Sequence, residues 1–511
     1  MSTVLTQTPA ETHTAPARES WSAIFALARF ESRKLLLRIP VLFMLAAYVA
    51  WIVWRTKSDW NGYPALQDVD RATQMGPLLV GFAVLLCVNQ AVLRSQRHDT
   101  ERLFGVLVLE PWRRTAAHAL SILPVTGLVA LGVAAQFGWQ AVKSTAVGNG
   151  SVGELLVGPL CVLLCGAIGL LMARLVPKPF AIPVAAVLLL VFSVLAPVSI
   201  GGDGGPTAWL FPIVGEGSSK TIPSDLIGRP AASHALYLTG LALALALLAV
   251  LISKGLTKTA TAVLAGSLAG AIALGVVGGV GQAAGVSSEI VAARTVATLN
   301  PQKVQSCVRH GRSTYCAFPE WVPRTSTWAE VADHVESLAG GTAQTRKLLV
   351  QQRVEARYGM EADGAIDPST TPNQVTVRTM WGGPRTPEFS AAVASVLVLG
   401  NEKAGGDVCD GRMVTIMWLA LGWTSDPVSE LRAVRLSDTV TGSSTVLSPT
   451  SGMSMTAGQT SVVRELLAAG PSTVTPKVKA HWAELTAPKV TTAKVAQLLG
   501  VKAPGGADKC E

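Results

Sequence analysis

Residues 155–175 read LLVGPLCVLLCGAIGLLMARL, with Arg174 as the one charged side chain. The hydrocarbon core of a bilayer is about 30 Å thick and takes about 20 apolar helical residues to cross. Working outward, six more stretches read the same way: 35–54, 72–93, 115–139, 181–200, 235–253 and 260–285. Arg38 lies in the first of these, near enough to its end for the long stem to carry the guanidinium into the headgroup layer. Seven crossings predict an all-α polytopic membrane bundle over residues 35–285.

The remaining composition fits this division. Charged residues are 15% of the chain, against about 25% in an ordinary soluble domain. Residues 1–285 hold 20 Lys+Arg and 13 Asp+Glu, net +7; residues 286–511 hold the other 22 and 20, net +2. The basic excess therefore sits in short loops between apolar runs, a pattern of membrane topology rather than of nucleic-acid binding. No nucleic-acid partner is expected.

Charge also sets direction. With the N-terminus inside, the inner segments carry Arg18, Arg29, Arg33, Lys34, Arg38, Arg94, Arg97, Arg102, Arg113, Arg114, Arg174, Lys178, Lys254 and Lys258, fourteen in all. The outer loops carry Arg55, Lys57, Arg71, Lys143, Lys220 and Arg229, six. The bias favours N-inside. An odd number of crossings then places 286–511 outside a cell membrane. Residues 1–20 are polar, lack the apolar core of a signal peptide, and read as a disordered cytoplasmic tail.

Cysteine usage agrees. Cys87, Cys161 and Cys165 lie in apolar runs, whereas Cys307, Cys316, Cys409 and Cys510 lie in the polar half. An even set in an oxidising compartment points to disulfides. The short loop His310-Gly311-Arg312 can close Cys307–Cys316, leaving Cys409–Cys510. A zinc site is the rival reading, though Cys-x-x-Cys is absent from the sequence, and no metal site is expected.

Residues 21–39 place Trp21, Ile24, Phe25, Ala28, Leu35 and Ile39 on one helical face, with Arg29, Arg33 and Lys34 elsewhere. This predicts an amphipathic helix in the inner interface. In the last span Gly266 and Gly270 form a G-x-x-x-G, which predicts close helix packing. Asn89 and Gln90 are expected to hydrogen-bond to neighbouring helices.

Residues 286–511 have soluble patterning and predict a mainly helical α+β domain. Thr327-x-x-Glu330 reads as a capping box. Thr386-Pro387 opens a helix that Gly400 stops, and Met413, Ile416, Met417 and Ala420 mark another. Val462, Val463, Leu466 and Leu467 mark a third, closed by Gly470-Pro471, and Thr475-Pro476 and Thr491-Thr492 open two more. Residues 375–380 alternate as a strand, and 439–461 read as a loop. Catalytic motifs such as H-E-x-x-H, G-x-S-x-G and the P-loop do not occur in the sequence. Asp333-His334 reads as a solvated helix face, and Asp407 and Asp410 around Cys409 as a turn.

Several short stretches resemble the membrane permease subunits of type-2 ABC exporters, especially large actinobacterial ones. They are Ala28-Arg29-Phe30-Glu31 with Arg33-Lys34-Leu35-Leu36, Asp99-Thr100-Glu101-Arg102-Leu103, Arg113-Arg114-Thr115-Ala116-Ala117, Trp209-Leu210-Phe211-Pro212, and His234-Ala235-Leu236-Tyr237-Leu238. The resemblance implies a transport component that is not itself an enzyme. A separate cytoplasmic ABC ATPase would supply ATP hydrolysis, and a second permease, identical or different, would complete the path. It implies no cofactor on this chain. Residues 21–38 and 94–114 would form the ATPase-coupling surface, with Arg33, Arg97, Glu101 and Arg113 as contacts. Two other readings stand beside it: a membrane-anchored extracytoplasmic sensor or binding protein without transport activity, and a tethered outer-surface enzyme.

Overall fold

A computed structural model describes residues 17–58, 63–94, 110–178, 180–199, 210–214, 221–357, 366–379, 385–437, 439–450 and 452–505. The first half builds α1 (Ala17–Leu36), α2 (Ile39–Ser58), α3 (Leu66–Ala72), α4 (Met75–Val92), α5 (Pro111–Leu120), α6 (Leu123–Ala141), α7 (Val152–Leu175), α8 (Ala181–Ser199), α9 (Ala231–Leu251), α10 (Lys258–Ala283) and α11 (Ser288–Leu299). Among the described residues five stretches are long and apolar enough to cross a membrane: Leu66–Val92, Pro111–Ala141, Val152–Leu175, Ala231–Leu251 and Lys258–Leu299. The pair α1–α2 adds a sixth if it counts as one span bent by 63°. The expected span 181–200 coincides with α8, of which Ala181–Val191 counts as a shorter apolar helix.

One expected span starts later than its hydropathy indicates and another carries a break in its helix, for one reason. Proline lacks an N–H and disfavours helical backbone in the residue before it. Ile39-Pro40 therefore separates α1 from α2, so the first apolar helix runs from Ile39 rather than from 35. Leu123-Pro124 separates α5 from α6 at Ser121 and Ile122, but the two remain one apolar stretch, Pro111–Ala141, that contains the expected 115–139.

Glycine lets the helices approach. A Cβ on Gly169 in α7 would lie 2.4 Å from the Leu85 carbonyl oxygen of α4. Asn89 Nδ2 donates to the Gly169 carbonyl at 3.1 Å, the interhelical bond expected of it. Between α9 and α10, a Cβ on Gly240 would lie 2.3 Å from Gly275 N, and one on Gly278 would lie 2.4 Å from Tyr237 N. Gly266 and Gly270 do not share this role. A Cβ on either meets nothing within 4 Å, so the close approach within this chain is made by Gly275 and Gly278, further along the same helix.

The connections gather at two ends. At one, α1 packs on α5 through Ile24, Ala28 and Ala117, and Thr115 Oγ1 joins α5 to Ser253 Oγ at 2.8 Å and to Arg174 at 2.7 Å. At the other, Ala65 and Val147 pair as a β-bridge, Ser151 N donates to Asp70 at 2.8 Å, and Gln67 donates to the Ile222 carbonyl at 3.0 Å.

The described residues are mostly helical, 68%, with a small mixed sheet in the C-terminal region. That sheet has the order β1 (Ser306–His310), β2 (Ser313–Ala317), β3 (Leu349–Gln352), β4 (Gln374–Val377). The first pair is antiparallel and the others are parallel. Around it lie α12 (Thr325–Leu338), α13 (Thr386–Leu399), α14 (Arg412–Leu421), α15 (Ala457–Ala469), α16 (Pro471–Ala480) and α17 (Thr492–Leu499). Trp321, Trp328, Phe389 and Trp418 fill the core. Cys307 and Cys316 sit opposite each other in the hairpin and are disulfide-bonded. Cys409 is also disulfide-bonded; its expected partner, Cys510, lies outside the described residues.

Three local expectations for this half are corrected. Helix α12 starts at Thr325 with Arg324 as its cap, so Thr327 and Glu330 lie inside it. The capping box is at Thr456 and Gln459 of α15. Thr475-Pro476 opens nothing, because Pro471 already occupies the first turn of α16 and Pro476 is carried inside it. The stretch 439–461 is not all loop: it holds the hairpin β5 (Ser444–Val446) and β6 (Met453–Met455) and the start of α15.

The glycine contacts give a direct comparison. Gly240→Leu forces α9 and α10 apart, and overpacking of this kind costs about 1–3 kcal/mol. In detergent the variant is expected to melt earlier than the parent, whereas Gly266→Leu melts with it. Equal melting of the two variants contradicts the assigned interface.

Candidate functional site

The end bearing α1 is built on a buried carboxylate. Glu31 falls on the inward face of α1 with Ile24, Ala28 and Leu35, and its side chain is 8% exposed. Arg94, just past α4, meets it at 3.0 Å. A buried ion pair of this kind holds position more than it adds stability, since removing either partner strands the other charge. Ser32 beside it donates to the Ala28 carbonyl at 2.7 Å and to the Ser121 carbonyl at 3.3 Å, fixing α1 to the α5–α6 junction. Arg38 donates to Gln90 at 3.0 Å. The result is a two-helix ledge of α1 and α5, braced from below by α4, α7 and α9.

The expected coupling residues divide on this ledge. Arg113 pairs with Glu110 at 3.2 Å and lies over the Trp112 ring; Trp112 Nε1 also donates to Glu110, at 2.6 Å. Arg33 faces another way, into an open groove that includes Leu36, Leu123 and Pro124. Arg97 and Glu101 lie outside the described residues. The pair Glu31–Arg94 and the junction Arg174–Thr115–Ser253 were not anticipated. The one available signal was Glu31 itself, a charge at the helical repeat of an apolar face.

The opposite end carries a second ionic cluster that sequence reading missed. Asp70 is 1% exposed and accepts from Ser151 N, with Arg229 at 3.8 Å. Thr221 donates to Asp68, Arg71 to the Val214 carbonyl at 2.9 Å, and Gln74 to Glu154. These bonds knit the connections at 63–73, 142–151 and 221–230 into one platform. The C-terminal domain docks on it. Arg324 donates to the carbonyls of Thr145 and Pro64, both at 3.2 Å, and stacks over Tyr63. Burial lowers its pKa to about 10, which leaves it charged at neutral pH. Glu320 accepts from the backbone and hydroxyl of Ser224, and Arg294 donates to Leu226 and Ile227, both at 2.7 Å.

Within that domain Asp333 and His334 are exposed, as expected, and the His334 ring stacks on Trp423 at 4.8 Å. Asp410 makes the expected turn, accepting from Arg412 and from Lys489 N. Among the described residues no group of three or more His, Cys, Asp or Glu is placed to hold a metal. Glu336 in α12 is the clearest perturbed acid here: burial and the neighbouring Asp333 push its pKa up to about 7, opposed by Arg312 at 3.7 Å.

No family model, characterised protein or solved structure matches this chain.

Because the folded state holds a proton on Glu336 that the unfolded chain releases near 4.5, its contribution is present below that pH and lost as pH rises through 7. At about 1.4 kcal/mol per pKa unit the loss is at most about 3.5 kcal/mol, and solvent screening of the partly exposed carboxyl makes it smaller. Glu336→Gln is therefore expected to raise the melting temperature at pH 8 and leave it nearly unchanged at pH 5. Equal shifts at both values exclude the assignment.

Proposed function

We propose that this chain is the permease subunit of a type-2 ABC exporter, with its N-terminus and the α1–α5 ledge in the cytoplasm and residues 286–511 outside the cell membrane. A separate ABC ATPase docks on the ledge, and a second permease completes the translocation path. ATP is used on the partner subunit, and this chain carries no cofactor and no catalytic role of its own. The observation that carries the reading is the convergence of the basic segments. Described parts of all four segments expected inside, those around 21–38, 94–114, 174–178 and 254–258, come to the end built on Glu31 and Thr115. The connections expected outside meet the C-terminal domain at the other end.

The ledge is mechanically suited to receive force. Helix α1 leaves the bundle at a bend, standing at 63° to α2, whereas α5 runs on into α6 as one long apolar stretch, Pro111–Ala141. A push on α1 reaches α4 through Glu31–Arg94, and a push on α5 reaches α7 and α9 through Thr115. Arg97, Glu101 and Arg113 are assigned to the contact itself, and Arg33 follows them by family resemblance.

A second reading draws on one feature, the docking of the C-terminal domain through Arg324 and Arg294. A binding or sensing domain tied this closely to a bundle can signal across a membrane without transport. Pull-down with the ATPase separates the two readings.

Co-expression with the candidate ATPase is expected to yield a complex whose ATP hydrolysis the permease stimulates. Glu101→Ala with Arg113→Ala should weaken the complex about tenfold, a change of about 1.4 kcal/mol. Intact stimulation and unchanged affinity in that double variant remove the proposed contact, and absence of any complex favours the sensor.

A further inference from the structure

We propose that the groove between α1 and the start of α6 binds one anionic phospholipid, with its phosphate on Arg29 and Arg33 and an acyl chain along Phe25, Leu36, Leu123 and Pro124. These six side chains line one open groove. Arg29 and Arg33 are four residues apart and so share a helix face. Both are exposed, and neither donates to a protein acceptor among the described residues.

The contrast with the other flank of the same helix gives the groove its meaning. There the arginines have partners within the protein: Arg94 pairs with Glu31, and Arg38 donates to the Gln90 amide oxygen. On the groove side two guanidiniums face an apolar floor with no acid among the lining residues. Guanidinium binds phosphate oxygens by paired, charge-assisted hydrogen bonds. The floor selects the kind of phosphate. Phe25 is 59% and Leu123 50% exposed, apolar surface that a free phosphate ion leaves bare and a lipid tail covers. The bend between α1 and α2 places the arginines at the end of the spans, the depth of headgroups, while Leu123 and Pro124 begin the descent of α6 into hydrocarbon. Basic side chains at that depth draw anionic lipid, each contributing about 1 kcal/mol.

The inference rests on the membrane reading and not on transport. It gives Arg33 a role separate from the ATPase contact that the resemblance implies.

The test uses the full chain, purified in mild detergent and followed by native mass spectrometry. Titration with phosphatidylglycerol should show one tightly held lipid, and phosphatidylcholine should bind at least about tenfold more weakly. Arg29→Ala with Arg33→Ala should lose that lipid, Arg29→Lys with Arg33→Lys should keep part of the affinity as a check on folding, and Lys254→Ala with Lys258→Ala should keep all of it. The proposal is overturned if the alanine pair retains phosphatidylglycerol, if both lipids bind alike, if millimolar inorganic phosphate displaces the lipid fully, or if the alanine pair loses ATPase binding and keeps the lipid.

Discussion

Hydrocarbon offers no partner to a charge or to a bare backbone group, and this one constraint organises the whole chain. Every stretch meant for the membrane must close its own hydrogen bonds as helix, and charged side chains must leave for an end or find a partner. The apolar run at 155–175 obeys this, with Arg174 released at its terminus to meet Thr115. Glu31 and Asp70 obey it differently: each is buried, and each is held by an arginine from another connection. The ionic clusters are thus confined to the two ends of the bundle, and they fix how the helices are tied there.

Between the ends the helices cannot rely on a hydrophobic drive toward one another, because lipid tails are as apolar as leucine. Close backbone approach supplies the packing instead, at Gly169 against Leu85 and at Gly240 against Gly275. The C-terminal domain depends on the opposite logic. Its tryptophans and phenylalanine are removed from water in an ordinary core, and a disulfide pins the first hairpin. Arg324 joins the two regimes, reaching from the soluble core to carbonyls of the bundle's connections.

Much of the membrane half was legible because length and apolarity report directly on the bilayer. The bend after α1 and the break before α6 were legible only in Pro40 and Pro124, which hydropathy averages over. Gly266 and Gly270 meet no neighbour within this chain: the presence of glycine shows that an approach is possible, not where a partner stands. The Asp68–Thr221 and Asp70–Ser151 contacts were out of reach, since their partners lie 153 and 81 residues apart and share no local pattern. The soluble helices that read correctly, such as α13 and α14, carry strong periodicity and clear stops. The capping box was misplaced because Thr327 and Glu330 match the motif while α12 has already begun at Thr325.

The central claim is that the two ends face opposite sides of one membrane. Single cysteines introduced at Lys254, beside the ledge, and at Lys479, on the C-terminal domain, are both exposed in the fold. A membrane-impermeant maleimide applied to sealed cells is expected to label Lys479→Cys at once and Lys254→Cys only after permeabilisation. Labelling of both, or of neither, before the membrane is opened would contradict the account.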